Sequence, residues 1–157
     1  MKIELAAAAE NVRSAFNVGA FFRLADGLGI SQLFLCGNSP FPPHDGICKT
    51  ALGAEKTVPW KFFLSAEKLV KKLRAENWQI VALENSPKAR NLREFEIQNS
   101  KICLFLGNEI DGVSPKILQN CDEVLKIEMR GAKESLNVST AAAIAFWELS
   151  EKAREKV

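Results

Sequence analysis

Three short stretches of this 157-residue chain combine polar side chains with glycine where chemistry could be done. The first runs from Asn11 to Arg23, where Asn17 and Arg23 put an amide and a guanidinium into an otherwise apolar helical pattern. The second, Leu106-Gly107-Asn108-Glu109-Ile110-Asp111-Gly112-Val113-Ser114, is a strand end breaking into a turn with two carboxylates. The third sets Ile127-Glu128-Met129-Arg130-Gly131 ahead of Ser135-Leu136-Asn137-Val138-Ser139, a strand end, a loop and a helix start. Strand ends are where ligands sit in parallel α/β sheets, so the three could converge on one site. Each residue also has a plain structural reading. Asn17 can be a helix cap, Arg23 half of a surface ion pair, Glu109 a solvated turn residue, Ser135 and Asn137 caps, and Asp111-Gly112 a simple turn with Asp111 structural.

Other chemistries lack parts. With His44 as the single histidine, Ser-His-Asp catalysis and histidine-based metal sites are poorly supplied. Cys36, Cys48, Cys103 and Cys121 form no CxxC pair, so no zinc site is expected, and the thiols read as reduced core residues. Gly27-Leu28-Gly29 suggests a dinucleotide loop, but Gln32 stands where G-x-G-x-x-G needs its third glycine, and no Walker lysine motif exists. Those glycines are better read as a helix C-cap.

The elements that must position the three stretches alternate. Strand-like apolar segments fall at 3–7, 32–36, 79–83, 101–106 and 123–127, with a weaker one at 58–62. Between them, Asn17 can cap a helix over 18–28, Ser65 caps one with Leu69, Val70 and Leu73 on its apolar side, Ser114-Pro115 starts a short helix toward Asn120, and a last helix runs over 138–152. The loop 37–47, with three prolines, is the longest interruption. Alternation of this kind predicts an α/β domain with a mainly parallel sheet flanked by helices, and no repeat or linker divides 1–157. Apolar residues at 47% and charged residues at 25% exclude a disordered or fibrous chain. The longest apolar runs fall short of the ~20 residues a membrane span needs, so a cytoplasmic protein is expected. A net charge of +2 settles nothing about nucleic acid, which needs a local basic face.

The order N-V-G-x-x-x-R, L-G-N-E-x-x-G and I-x-M-x-G-x-x-x-S-L-N-V-S resembles the three motifs of the SpoU (TrmH-like) RNA 2′-O-ribose methyltransferases of the SPOUT superfamily. Lys49-Thr50-Ala51-Leu52-Gly53-Ala54-Glu55 and Val58-Pro59-Trp60 are also similar to that family, whereas Glu128 stands where it often has Pro and Leu24 where Thr often follows the arginine. The resemblance covers nearly the whole chain, and an added N-terminal RNA-binding domain is not expected in it. It implies a C-terminal trefoil knot, S-adenosyl-L-methionine as cofactor, a homodimer, and methylation of a ribose in tRNA or rRNA. The alternative is a catalytically inactive RNA-binding relative with the same fold.

Residue by residue, the resemblance implies catalytic roles for Asn17, Arg23, Glu109, Ser135 and Asn137. Arg23, a fixed cation and a poor free base, would hold phosphate and stabilise a developing 2′-alkoxide. Asn17 would cap its helix and set that arginine, Glu109 would orient Arg23 or the hydroxyl or approach the sulfonium, and Asn137 would hydrogen-bond near the ribose. Leu83, Glu84, Gly107, Ile127, Met129 and Leu136 would frame the cofactor, mostly through backbone. Substitution of Gly107 by Val is therefore expected to abolish cofactor binding in a folded protein. Arg13, Lys49 and Lys56 are the expected RNA contacts, and no metal is implied. His44 reads as a loop residue or RNA contact and Trp60 as core or interface. Lys68, Lys71, Lys72 and Arg74 read as a solvated helix face more readily than as an RNA surface.

Overall fold

The computed structural model describes residues 2–157. Seven parallel strands make one sheet in the order β3-β2-β1-β6-β4-β7-β5. They are β1 (Glu4–Glu10), β2 (Gln32–Cys36), β3 (Trp60–Phe63), β4 (Gln79–Leu83), β5 (Arg90–Asn91), β6 (Lys101–Leu106) and β7 (Glu123–Lys126). Five helices flank it: α1 (Ala15–Leu28), α2 (Asp45–Ala51), α3 (Ala66–Ala75), α4 (Pro115–Gln119) and α5 (Val138–Glu155).

β1 shows how this sequence makes a two-sided sheet. It carries four consecutive alanines, with Ala7 and Ala9 in the core under α1, α2 and α5 and Ala6 and Ala8 in the core under α3 and α4. Small side chains on both faces let helices close from either side. A strand covered on both faces loses the polar alternation that marks an end, which is why β1 runs on to Glu10 when the apolar pattern suggests a stop near residue 7. α3 follows its pattern, with Ser65 Oγ accepting from the Lys68 N–H and Leu69, Val70 and Leu73 buried. Its basic face is partly neutralised within the chain, since Lys72 pairs with Glu76 and Arg74 reaches Asp122 at 2.7 Å.

Three expectations change. Asn17 does not cap α1; the helix starts at Ala15, and Ser14 is the cap, its Oγ accepting from the Asn17 N–H at 3.3 Å. The loop 37–47 gives way to α2 at Asp45, capped by His44, whose Nδ1 accepts from the Gly46 N–H at 3.0 Å. An imidazole cap is rare enough that the proline cluster hid this helix. Cys36 and Cys103 are buried core thiols, but Cys48 is exposed. Burial, reinforced by the Glu10 carboxylate, pushes the Cys36 thiol up to about 12. Gly29, with φ of 72°, closes α1 as the glycine reading required.

Gly19 fixes how α1 and α2 cross. A Cβ there would lie 2.0 Å from Thr50 Oγ1 and 2.3 Å from the Ile47 carbonyl, while Thr50 Oγ1 donates to the Phe16 carbonyl at 2.8 Å. Gly19→Ala must therefore push the helices apart, and urea denaturation should show a loss of about 1–3 kcal/mol. An unchanged midpoint would mean that the crossing tolerates a methyl group.

Near the far edge of the sheet, Leu83 and Arg90 both stand in register with Leu125, so the link 84–89 straddles β7. The chain leaving β7 meets this link where Asn85 Nδ2 donates to the Glu134 carbonyl. It then returns as α5 to the face occupied by α1, with Lys152 Nζ donating to the Arg93 carbonyl at 2.8 Å.

Candidate active site

The C-terminal ends of β4, β6 and β7 and the start of α5 surround a cleft of about 220 Å³. Leu83, Glu84, Gly107, Glu109, Ile127, Met129, Ser135, Leu136 and Asn137 all line it. Segments 83–84, 107–109 and 127–137, far apart in sequence, thus meet at one place. Asn17 touches this group through Glu109, whereas Arg23, Arg13, Lys49 and Lys56 are exposed and do not line the cleft.

The 107–114 turn is held from three sides. Asn108 Oδ1 accepts from the Ile110 and Asp111 N–H groups at 2.8 and 3.1 Å, and its Nδ2 donates to the Asn11 carbonyl at 2.8 Å. Glu84 Oε2 accepts from the Val113 N–H at 2.7 Å. Glu10, 6% exposed at the end of β1, accepts from the Ser114 N–H at 2.7 Å and from Ser114 Oγ at 2.8 Å. A buried carboxylate needs such donors to be tolerated at all. Glu10 was not singled out from sequence, and Asn11 and Asn108, inside the first and second stretches, were given no role there. A lone acid closing a run of alanines was the available signal for Glu10, and an Asn before a turn was the signal for Asn108.

Glu109 joins this turn to α1. Its Oε1 accepts from the Ser14 N–H at 3.1 Å and from Asn17 Nδ2 at 3.2 Å, and its Oε2 accepts from the Arg13 N–H at 3.3 Å. The carboxylate thus sits at the N-terminus of α1, where N–H groups and the helix dipole favour an anion. Burial works against ionisation, but hydrogen bonds from backbone N–H groups and from Asn17 outweigh it and hold the Glu109 carboxyl below its ordinary range. Asn17 therefore sets Glu109, where sequence reasoning had it setting Arg23 as a cap. A depressed folded-state pKa gives stability that is present above the ordinary value of 4.5 and lost as pH falls through the lower folded value. The stability advantage of wild type over Glu109→Gln should accordingly shrink in urea titrations run from pH 7 down to pH 3. An advantage independent of pH would refute the assignment.

Asn137 caps α5, its Oδ1 accepting from the Ser139 N–H at 2.9 Å and from Ser139 Oγ at 2.6 Å. Among the described residues its amide nitrogen has no hydrogen-bond partner. Gly107 differs from expectation: a Cβ there would lie 2.1 Å from Gly112 C and 2.1 Å from Val113 N. The residue must be glycine for the turn itself, so Gly107→Val disturbs the fold of the loop before any ligand arrives. Among the described residues, no cluster of three or more His, Cys, Asp or Glu could hold a metal ion, and no helix is long and apolar enough to cross a membrane.

A parallel sheet whose strand ends line a cleft at the C-terminal edge defines an α/β protein with its site where such folds bind small ligands. The chain belongs to the SpoU rRNA Methylase family, whose profile matches residues 4–147. It is 32% identical over 153 residues to a tRNA (guanosine(18)-2′-O)-methyltransferase of Aquifex aeolicus, covering 94% of this chain and 69% of that one. It is 28% identical to a 23S rRNA (guanosine-2′-O-)-methyltransferase of Vibrio vulnificus, covering 88% of this chain and 56% of that one. The crystal structure of the A. aeolicus TrmH/SpoU tRNA modifying enzyme superposes with a TM-score of 0.87 at 29% identity, covering 99% of this chain and 78% of the other. The chain spans 69% of the length of the first relative and between 55% and 66% of the length of several others.

Proposed function

We propose that this chain is an S-adenosylmethionine-dependent methyltransferase acting on a ribose 2′-hydroxyl of tRNA or rRNA in the cytoplasm, with residues 1–157 as one catalytic domain. The observation that carries this reading is the Asn17–Glu109 hydrogen bond, which ties the first motif to the second at the edge of a cleft that the third motif completes. Residues of the cleft suit the cofactor. Leu83, Ile127, Met129 and Leu136 offer an apolar slot for a purine, Gly107 presents backbone without a side chain, and the Glu84 and Glu109 carboxylates favour a cationic sulfonium. When bound, S-adenosylmethionine supplies an electrophilic methyl group for the ribose oxygen. The chain's own residues would do the rest: Arg23 grips the adjacent phosphate and stabilises charge growing on the 2′-oxygen, with that phosphate relaying the proton. Asn137 donates from its free amide nitrogen, Ser135 borders the reacting group, and Arg13, Lys49 and Lys56 hold the RNA backbone. Calorimetry with S-adenosylhomocysteine and with mononucleotides tests the site, and tight binding of the former with none of the latter is expected. The reverse order would point to a nucleotide-binding protein.

Arg23 lies outside the cleft of its own chain, so the complete site is read as shared between two copies, each supplying its arginine to the other's cleft. Support comes from Phe16 on α1 and from Ile144 and Trp147 on α5, which are 54%, 41% and 56% exposed on two helices that pack together. Ile144 and Trp147, three residues apart on α5, share one face of that helix, and large apolar side chains exposed together mark association surfaces. Sedimentation should find a dimer that Trp147→Glu converts to an inactive monomer; a fully active monomer would remove the shared site. The reading also takes the C-terminal segment to be knotted, threading beneath the 84–89 link. The in-register flanking of Leu125 by Leu83 and Arg90 supports it.

A further inference from the structure

Among the described residues, three other than glycine adopt a left-handed backbone, Asn11, Leu52 and Asn77. Asparagine does so readily, but leucine does not. Leu52, at φ 51° and ψ 41°, ends α2 with its N–H donating to the Cys48 carbonyl, a bond that any residue could make. Its side chain is 65% exposed. The left-handed turn ends α2, but glycine or asparagine would make it with less strain, so the exposed isobutyl group itself brings the fold nothing, while its neighbours have structural work: Thr50 bonds α1, Ala51 and Ala54 are buried, and Glu55 accepts from the Gly53 N–H at 3.0 Å. Strain kept without structural return points to function.

The position of Leu52 says which function. α1 meets α2 where Gly19 abuts Ile47 and Thr50, and it meets the following turn again where Thr57 Oγ1 donates to Asp26 Oδ1 at 3.2 Å. Arg23 lies between these two contacts on α1, one helical turn beyond Gly19 on the same side. Leu52 lies between them on the opposing segment. Lys49 and Lys56 flank it, both exposed and, among the described residues, without an ion pair.

Resting on the methyltransferase reading above, we infer that Leu52 is a positioning residue for the RNA, an apolar wall for the nucleobase whose ribose Arg23 addresses, with Lys49 and Lys56 on the flanking phosphates. Protein recognition of RNA commonly uses unstacked bases laid on a side chain, with cations on the backbone. The three cations favour RNA over a second copy of this chain, in which the same positive surface would have to be accommodated at an interface.

The test uses Leu52→Gly and Leu52→Asn, which relieve or tolerate the left-handed backbone. Melting temperature should hold or rise, affinity for S-adenosylhomocysteine should be unchanged, and KM for bulk tRNA or rRNA from cells lacking the protein should rise roughly fivefold through loss of apolar contact. With the modified nucleotide mapped, an RNA carrying an abasic ribose there should erase the difference between wild type and variant. A KM equal to wild type, a difference that persists on the abasic RNA, or a shift from dimer to monomer in sedimentation would overturn the inference, the last by assigning Leu52 to an interface between copies. Failure of the wild-type protein to methylate either RNA would instead bring down the methyltransferase reading on which the inference stands.

Discussion

Arg23→Ala should reduce single-turnover methylation by ~100-fold or more, judged from the loss of single oxyanion donors, while leaving cofactor affinity and melting temperature near wild type. The residue lies inside α1, beyond its first turn, so it has no capping role. Its side chain is exposed and, among the described residues, makes no ion pair that would give it a stabilising role. Arg23→Lys keeps the charge but loses the planar fork that engages two oxygens at once, so its turnover should also fall by ~100-fold. RNA affinity should weaken somewhat in the alanine variant. Single-turnover assays with labelled cofactor, run beside binding measurements, separate these effects, and near-normal methylation by Arg23→Ala would end the proposed role.

Gly107→Val carries the second large effect, for a reason that the motif does not reveal. With backbone atoms of Gly112 and Val113 2.1 Å from any Cβ, the substitution must displace the turn that Asn108, Glu84 and Glu10 hold in place. Overpacking against backbone, which cannot rotate away as a side chain can, should cost about 1–3 kcal/mol or more. Calorimetry should show loss of S-adenosylhomocysteine binding together with a lowered melting temperature. Lost binding at an unchanged melting temperature would mean that Gly107 faces the ligand alone.

Much of the architecture was legible because parallel strands covered on both faces read as plain apolar runs and helix caps announce themselves: Ser65, Ser114 and Gly29 all stand where their residue types require. α2 was not legible, because its cap is a histidine behind a proline cluster, and neither was the two-residue β5, too short to leave a pattern. Most cleft-lining residues followed from the second and third motifs, with Leu83 and Glu84 added by the family resemblance. What linked them did not, since Glu10 to Ser114 and Glu109 to Asn17 are contacts between residues 104 and 92 positions apart that no local pattern encodes. Gly19 and Gly107 read as motif letters until the neighbouring backbone shows what a Cβ would strike.

Nucleoside analysis of RNA incubated with the purified protein and S-adenosylmethionine carrying a heavy methyl group tests the central claim most directly. One 2′-O-methylated ribonucleoside should gain the label, and its dinucleotide should resist alkaline cleavage because the blocked 2′-oxygen can no longer attack the neighbouring phosphate. Label found on a base, or absent from both tRNA and rRNA while the protein binds S-adenosylhomocysteine, would contradict ribose methylation as the activity of this fold.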